Sequence, residues 1–260
     1  MLERSQNIFT VMLLIISFSS PVSGASDLER EARLKNQIID AILDGEPHML
    51  EANGHRFLGI YTEAEDSSGA VVILHGRGFH PDWIDVVSPL RVGLVEYGWN
   101  TLSIQLPVLA KEAKYYDYEP VFDDATPRID AALDFLQQQG NKKIIIIAHS
   151  CGVHMAMQYV RNKGEKRFHA FVGIGMGATD YKQPMRRPLP IERMKNPVLD
   201  VFGGADYPAV HRLAGLRAQH IEGQGHALSE QVKVPGANHY FTDMGEPLLE
   251  TIAGWLEKLK

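Results

Sequence analysis

The sequence predicts an α/β fold: a mostly parallel central sheet with helices on both faces, preceded by an antiparallel hairpin. Three observations predict it. Ile144-Ile145-Ile146-Ile147 is apolar on both faces of an extended segment, as in a strand covered by helices on each side. From residue 69 onward, short apolar runs alternate with helix-like segments, the order that parallel strands with crossover helices require. The Ile run then passes through Ala148-His149-Ser150-Cys151-Gly152 into a helical pattern, giving a strand–turn–helix junction.

The elements follow in order. Arg4 precedes an apolar run over 8–18 and the small residues Ser19-Ser20-Pro21-Val22-Ser23-Gly24-Ala25, the layout of a secretory signal peptide. The expectation is a signal over 1–24, one domain over 25–260, and export to the periplasm. The apolar run is short for a bilayer span and no Cys follows it, so no stable membrane insertion is expected after cleavage. Apolar positions 28, 34, 38, 39, 42 and 43 predict an amphipathic helix over 28–43. Asn53-Gly54 between 48–52 and 56–61 is a strong hairpin signal. Strands are predicted at 70–74 and 99–106, with a crossover helix at 86–97 between them. A helix at 127–139 takes Thr126 as cap and Pro127 as its first residue. After the Ile strand and the helix that follows Ser150, strands are predicted at 170–174, 198–202 and 231–234, with a helix at 209–220. A helix over 248–259 closes the chain, with Ile252, Trp255, Leu256 and Leu259 on one side.

The bulk composition excludes several function classes. A formal net charge of −6 gives no electrostatic reason to expect nucleic acid, and the basic stretch 161–167 reads as a solvated helix end. The Gly-rich segments lack a Gly-Lys-Ser/Thr ending and dinucleotide spacing, so no nucleotide is expected. No His, Asp or Glu cluster has metal-ligand spacing, so neither metal nor cofactor is expected. Cys151 is the only cysteine, which excludes an internal disulfide. Its neighbours His149 and Val153 are too large for a turn centred on it, so Cys151 reads as a backbone N–H donor.

Ser150 stands where a nucleophile elbow would lift its hydroxyl out of the sheet, with Gly152 allowing strand and helix to approach. Ala148 departs from the usual Gly-x-Ser-x-Gly by one methyl group. A nucleophilic Ser needs a base, an acid to orient the base, and donors for the oxyanion. Asp206 follows the strand at 198–202 and His239 follows the last strand, so both fall at strand carboxyl ends with Ser150. Asp180, after the preceding strand, is the rival acid; Asp200 lies inside a strand and is a poorer one. His149 and His154 flank the turn and are expected to pack or line the site. The second oxyanion donor is assigned to the backbone of Arg77, in a turn that His75, Gly76 and Gly78 support.

With these residues in place, the chain resembles the α/β-hydrolase superfamily over nearly all of residues 25–260. More narrowly, His75-Gly76-Arg77-Gly78-Phe79-His80-Pro81-Asp82-Trp83 and Gly98-Trp99-Asn100-Thr101-Leu102-Ser103-Ile104-Gln105-Leu106-Pro107 look like an uncharacterised family of exported bacterial hydrolase-like proteins, labelled a domain of unknown function. The resemblance implies an α/β-hydrolase fold and a triad of Ser150, Asp206 and His239, but supplies no substrate. Hydrolases often insert a lid where this chain has only residues 175–197, so a short or absent lid is expected.

The resulting reading is a serine hydrolase acting on an ester or related acyl bond of a small-molecule or polymer-attached substrate. Two rivals stand beside it: a non-catalytic envelope binding or assembly protein that retains the fold, and a serine peptidase. Arg186-Arg187 would suit an anionic substrate but reads more simply as a solvated pair.

Overall fold

The computed structural model describes residues 25–260, so the expected signal segment lies outside the described residues. Helix α1 (Leu28–Ile38) is capped by the Asp27 side chain, which accepts from the Arg30 amide. The sequence pattern ran this helix to residue 43, but it ends in a 3-10 turn at Ile39–Ala41. The chain must extend there to reach Gly45, whose φ of +83° leads into the first strand. Strands β1 (Glu46–Ala52) and β2 (His55–Thr62) form the expected hairpin. Asn53 and Gly54 both have positive φ, 51° and 75°, which matches the twist of the flanking strands.

The parallel part then unfolds in order: β3 (Ala70–Leu74), α2 (Val87–Glu96), β4 (Asn100–Ile104), α3 (Tyr115–Tyr118), α4 (Ala125–Gln138), β5 (Ile144–His149), α5 (Cys151–Lys163), β6 (Ala170–Ile174), β7 (Val198–Ala205), α6 (Pro208–Gln224), β8 (Glu230–Asn238) and α7 (Gly245–Leu256). The eight strands form one sheet in the order β1-β2-β4-β3-β5-β6-β7-β8. Only the β1–β2 and β2–β4 pairings are antiparallel.

The four Ile residues of β5 explain the layering. Ile144 and Ile146 pack on one face with Leu133 and Leu136 of α4 and Val153 and Met157 of α5. Ile145 and Ile147 pack on the other with Leu90 and Leu94 of α2 and Ile252 and Trp255 of α7. Successive residues point to opposite faces, so one run of four feeds both cores. Each buried side chain contributes roughly 2 kcal/mol of transfer free energy.

Several boundaries differ from those expected. Thr126 is not a cap: α4 begins at Ala125, because a 3-10 turn at Glu119–Val121 runs into it and leaves Asp124 already helical. The Thr126 hydroxyl instead accepts from Asn162 on α5. Strands β7 and β8 run on to Ala205 and Asn238, pairing beyond an irregularity between Gly203 and Ala205. Conversely, Leu106 lies outside β4, its amide donating to the ring of His75. Among the described residues no helix is long and apolar enough to cross a membrane.

Candidate active site

Parallel strands point their carboxyl ends one way, and three of those ends meet. Ser150 joins β5 to α5 with φ 53° and ψ −115°, a strained conformation for a side chain with a Cβ. Two contacts hold the turn: the Ser150 amide donates to the Ile174 carbonyl at 2.8 Å, and the Ser150 carbonyl accepts from Val153 at 3.0 Å. Gly152 is required because a Cβ there would lie 2.6 Å from the His75 carbonyl oxygen and 2.8 Å from that of Leu74. Ala148 does not disturb the elbow. It sits buried in β5 between Leu74 and Gly173, and the second of these neighbours has no side chain to compete for space.

Asp206 follows β7 and His239 follows β8, as their positions in the sequence led one to expect. The Ser150 hydroxyl lies 2.8 Å from His239 Nε2, and His239 Nδ1 lies 2.6 Å from Asp206 Oδ1. With Nδ1–H donating to the carboxylate, Nε2 presents its lone pair to the hydroxyl. His239 is 2% exposed and Asp206 7%, so water competes little for either. Burial alone would push the Asp206 carboxyl up. The hydrogen bond and charge of His239, with the amides of Tyr207 and Gly203, outweigh burial and hold it below the usual carboxylate range.

The rival acids are engaged elsewhere. Asp180 binds the Arg77 guanidinium through both oxygens, one of them at 3.2 Å, and accepts from the Tyr115 amide at 2.7 Å. Burial would raise its carboxyl, but these partners hold it low. Asp200 is fully buried between Arg217 Nε and Gln231 Nε2, each at 2.7 Å.

Cys151 and Arg77 line the cleft beside Ser150. Among the described residues, neither backbone N–H donates to a protein group. Gly78 has φ +72°, which turns the chain directly after Arg77. His75 supports this turn from behind: it donates to the Gly76 carbonyl at 2.7 Å and accepts from the Leu106 amide at 2.9 Å, tying β3 to β4. Gly76 has no room for a Cβ, which would come within 2.9 Å of the His149 ring. His149 does not line the cleft. It is buried and bonds the His239 backbone carbonyl at 3.0 Å, while His154 bonds the Ala178 carbonyl at 3.0 Å. Burial depresses both rings, to about 3 for His149 and about 4 for His154, so both stay neutral. Burial also pushes the Cys151 thiol up to about 12.

The cleft has a volume of about 390 Å3. Residues 175–197 contribute only Ala178, Thr179 and Asp180 to it. More of its wall comes from the 105–124 connection, through Ala110, Lys111, Ala113, Tyr115 and Tyr118, a contribution the sequence reading did not anticipate. Tyr207 and Tyr240 were missed as well. Each directly follows a residue singled out from the sequence, Asp206 and His239, and that adjacency was the available signal. Arg186 pairs with Glu119 at 3.0 Å and stacks over Tyr116, and neither it nor Arg187 reaches the cleft. Among the described residues, no three His, Cys, Asp or Glu side chains gather as a metal site.

A family model described as "Protein of unknown function (DUF3530)" matches residues 19–127 and 121–258. No curated protein matches the sequence. Among solved structures, the chain is similar to Est1E from Butyrivibrio proteoclasticus, with TM-score 0.63 and 13% identity, covering 83% of this chain and 98% of that one. It is similar to XC6422 from Xanthomonas campestris, described as an α/β serine hydrolase without a lid, with TM-score 0.61 and 13% identity over 84% and 96% of the two chains. The esterase Pf2001 from Pyrococcus furiosus gives TM-score 0.62 and 16% identity over 83% and 92%. The architecture is that of an α/β hydrolase.

Proposed function

The chain belongs to the DUF3530 family of proteins of unknown function, and for it we propose a serine hydrolase that cleaves an ester or related acyl bond. The observation that carries this reading is the unbroken relay from Ser150 through His239 to Asp206, at 2.8 Å and 2.6 Å, opening onto a cleft. A surface histidine pairs with an acid often enough; a buried one that also accepts from a serine on a strained elbow has few other uses. The lidless and esterase descriptions of the similar structures add support for the ester class.

In this reading Ser150 Oγ attacks the carbonyl carbon while His239 Nε2 takes its proton. Asp206 fixes the imidazole tautomer and balances the imidazolium that forms. The Cys151 and Arg77 amides donate to the oxyanion, each worth on the order of 100-fold or more in rate. Collapse of the tetrahedral intermediate expels the alcohol, which takes the proton from His239. Water then repeats the sequence and releases the acid.

The test is labelling of the purified protein by a fluorophosphonate probe, with hydrolysis of a panel of p-nitrophenyl esters. Ser150→Ala should abolish labelling and lower kcat by on the order of a million-fold. Labelling that persists in Ser150→Ala would overturn the assignment.

A further inference from the structure

The charge of the cleft departs from that of the chain. The formal net charge is −6, yet the cleft lining carries three cations, Arg30, Arg77 and Lys111, against one carboxylate, Asp180. Arg77 and Asp180 neutralise each other in their bidentate pair. Arg30 and Lys111 make no ion pair among the described residues, and both line the cleft. A cleft lined by one sign of charge between low-dielectric walls focuses potential on a ligand of the other sign.

The geometry makes this more than a surface excess. The guanidinium of Arg30 reaches from α1 to donate to the Gly78 carbonyl at 3.2 Å, one residue past the proposed oxyanion donor of Arg77. That single bond leaves most of its five donors for another acceptor. Tyr118 closes the same corner: a Cβ on Gly78 would lie 3.3 Å from Arg30 Nη2 and 3.9 Å from the Tyr118 hydroxyl oxygen. That hydroxyl accepts from the Leu109 amide at 2.9 Å, which leaves its own proton to donate. The cleft is also lined by aromatic rings: Phe79 and Trp83 stack at 3.8 Å and 5°, and Tyr240 tilts against Phe79 at 5.8 Å. The cleft lining therefore combines cations and a hydroxyl with flat aromatic surface.

Resting on the serine-hydrolase reading, we propose that the substrate is an anionic ester, carrying a carboxylate beyond the scissile bond that Arg30, Lys111 and Tyr118 receive. The carboxylate can belong to the acyl or the alcohol part, and matched substrates separate the two. Mono-4-nitrophenyl adipate against 4-nitrophenyl hexanoate places the charge on the acyl side. The ester 4-acetoxybenzoate against phenyl acetate places it on the alcohol side.

For at least one pair, the ratio of kcat/KM for the anionic over the neutral ester should fall as salt rises from low ionic strength to about 0.5 M. The same ratio should fall about threefold in Arg30→Gln and about tenfold in Lys111→Glu, carried by KM more than kcat. Calorimetry on Ser150→Ala gives a readout free of turnover: adipate or 4-hydroxybenzoate should bind more tightly than its uncharged counterpart, 1-hexanol or phenol, and Lys111→Glu in that background should remove the difference. Ratios insensitive to salt and to both substitutions, with no preference by Ser150→Ala for the anion, would overturn the proposal even if neutral esters are hydrolysed. Selective anion binding without hydrolysis or probe labelling would instead retain the anion site and overturn the serine-hydrolase reading.

Discussion

The ring of Tyr207 lies nearly parallel over the imidazole of His239, with centroids 4.1 Å apart and planes 20° from one another. The amide of the same Tyr207 donates to Asp206 Oδ1 at 2.6 Å, so one residue grips both Asp206 and His239. Its hydroxyl meets that of Tyr240 at 2.5 Å, which pins the ring in place. An aromatic face favours a cation above it, so this stack stabilises the imidazolium more than the neutral ring.

Tyr207→Leu is therefore expected to lower kcat by about tenfold, since cation–π contacts away from water are worth ~1–2 kcal/mol. Without the ring face, the positive charge that develops on His239 as Ser150 attacks loses stabilisation, so the loss should fall on kcat more than on KM. Tyr207→Phe keeps the face and should keep most of kcat. Equal losses in Tyr207→Phe and Tyr207→Leu would instead assign the effect to the hydroxyl that meets Tyr240.

The two candidate acids separate by substitution. Asp206→Asn should reduce kcat by on the order of 10,000-fold, because the amide no longer fixes the tautomer that presents a lone pair to Ser150. Asp180→Asn breaks a pair beside the oxyanion turn but leaves the relay intact, and its cost should stay near tenfold. Steady-state kinetics on a p-nitrophenyl ester distinguishes them, and equal losses would contradict the assignment of Asp206.

Gly152→Ala should fail through packing. The added methyl would press on the carbonyl oxygens of His75 and Leu74 at 2.6 and 2.8 Å, both backbone atoms that cannot move independently. Overpacking of this kind costs about 1–3 kcal/mol, read as a lower urea midpoint at unchanged slope. Ala148→Gly, by contrast, should alter stability by no more than about 1 kcal/mol.

Three buried histidines make the fold acid-sensitive in a defined window. Burial lowers His75 and His149 to about 3 and His154 to about 4, below the 6.5 of an unfolded histidine. The unfolded chain thus takes up protons first, so their contribution is full above pH 6.5 and is lost progressively down to the folded values. At pH 5 each costs about 2 kcal/mol by linkage. Urea midpoints measured from pH 7.5 to pH 5 should fall steeply, and His154→Gln should flatten the slope by about one third.

Cys151 should be inert in the native protein. Its thiol is buried and pushed up to about 12, so the thiolate that reacts with iodoacetamide is nearly absent at neutral pH. Mass spectrometry should find no alkylation in buffer and stoichiometric alkylation in urea. Rapid native modification that also abolishes activity would favour a cysteine nucleophile over Ser150.

Much of this protein is written locally. The Ile144–Ile147 run, Asn53-Gly54, and the small residues around Ser150 each specify a conformation through near neighbours alone, and hairpin, central strand and elbow form as the sequence leads one to expect. The chain order of Ser150, Asp206 and His239 followed from the same logic, because each sits where a strand ends. Termini of elements were less legible: whether α4 starts at Ala125 or Pro127 depends on the turn that delivers the chain to it, not on the capping preference of Thr126. What tertiary structure alone decided is which distant groups meet. Asp206 was the expected partner of His239 with Asp180 as its rival, but the sequence held no sign that Arg77, from another strand end, engages Asp180 in an ion pair while Asp206 meets His239. Arg30 gave no signal at all, since a charged residue on an amphipathic helix is ordinary until α1 packs against the turn at Gly78. Periodicity and turn chemistry act over a few residues, whereas a site is a set of long-range contacts whose partners are fixed only when the sheet closes its order.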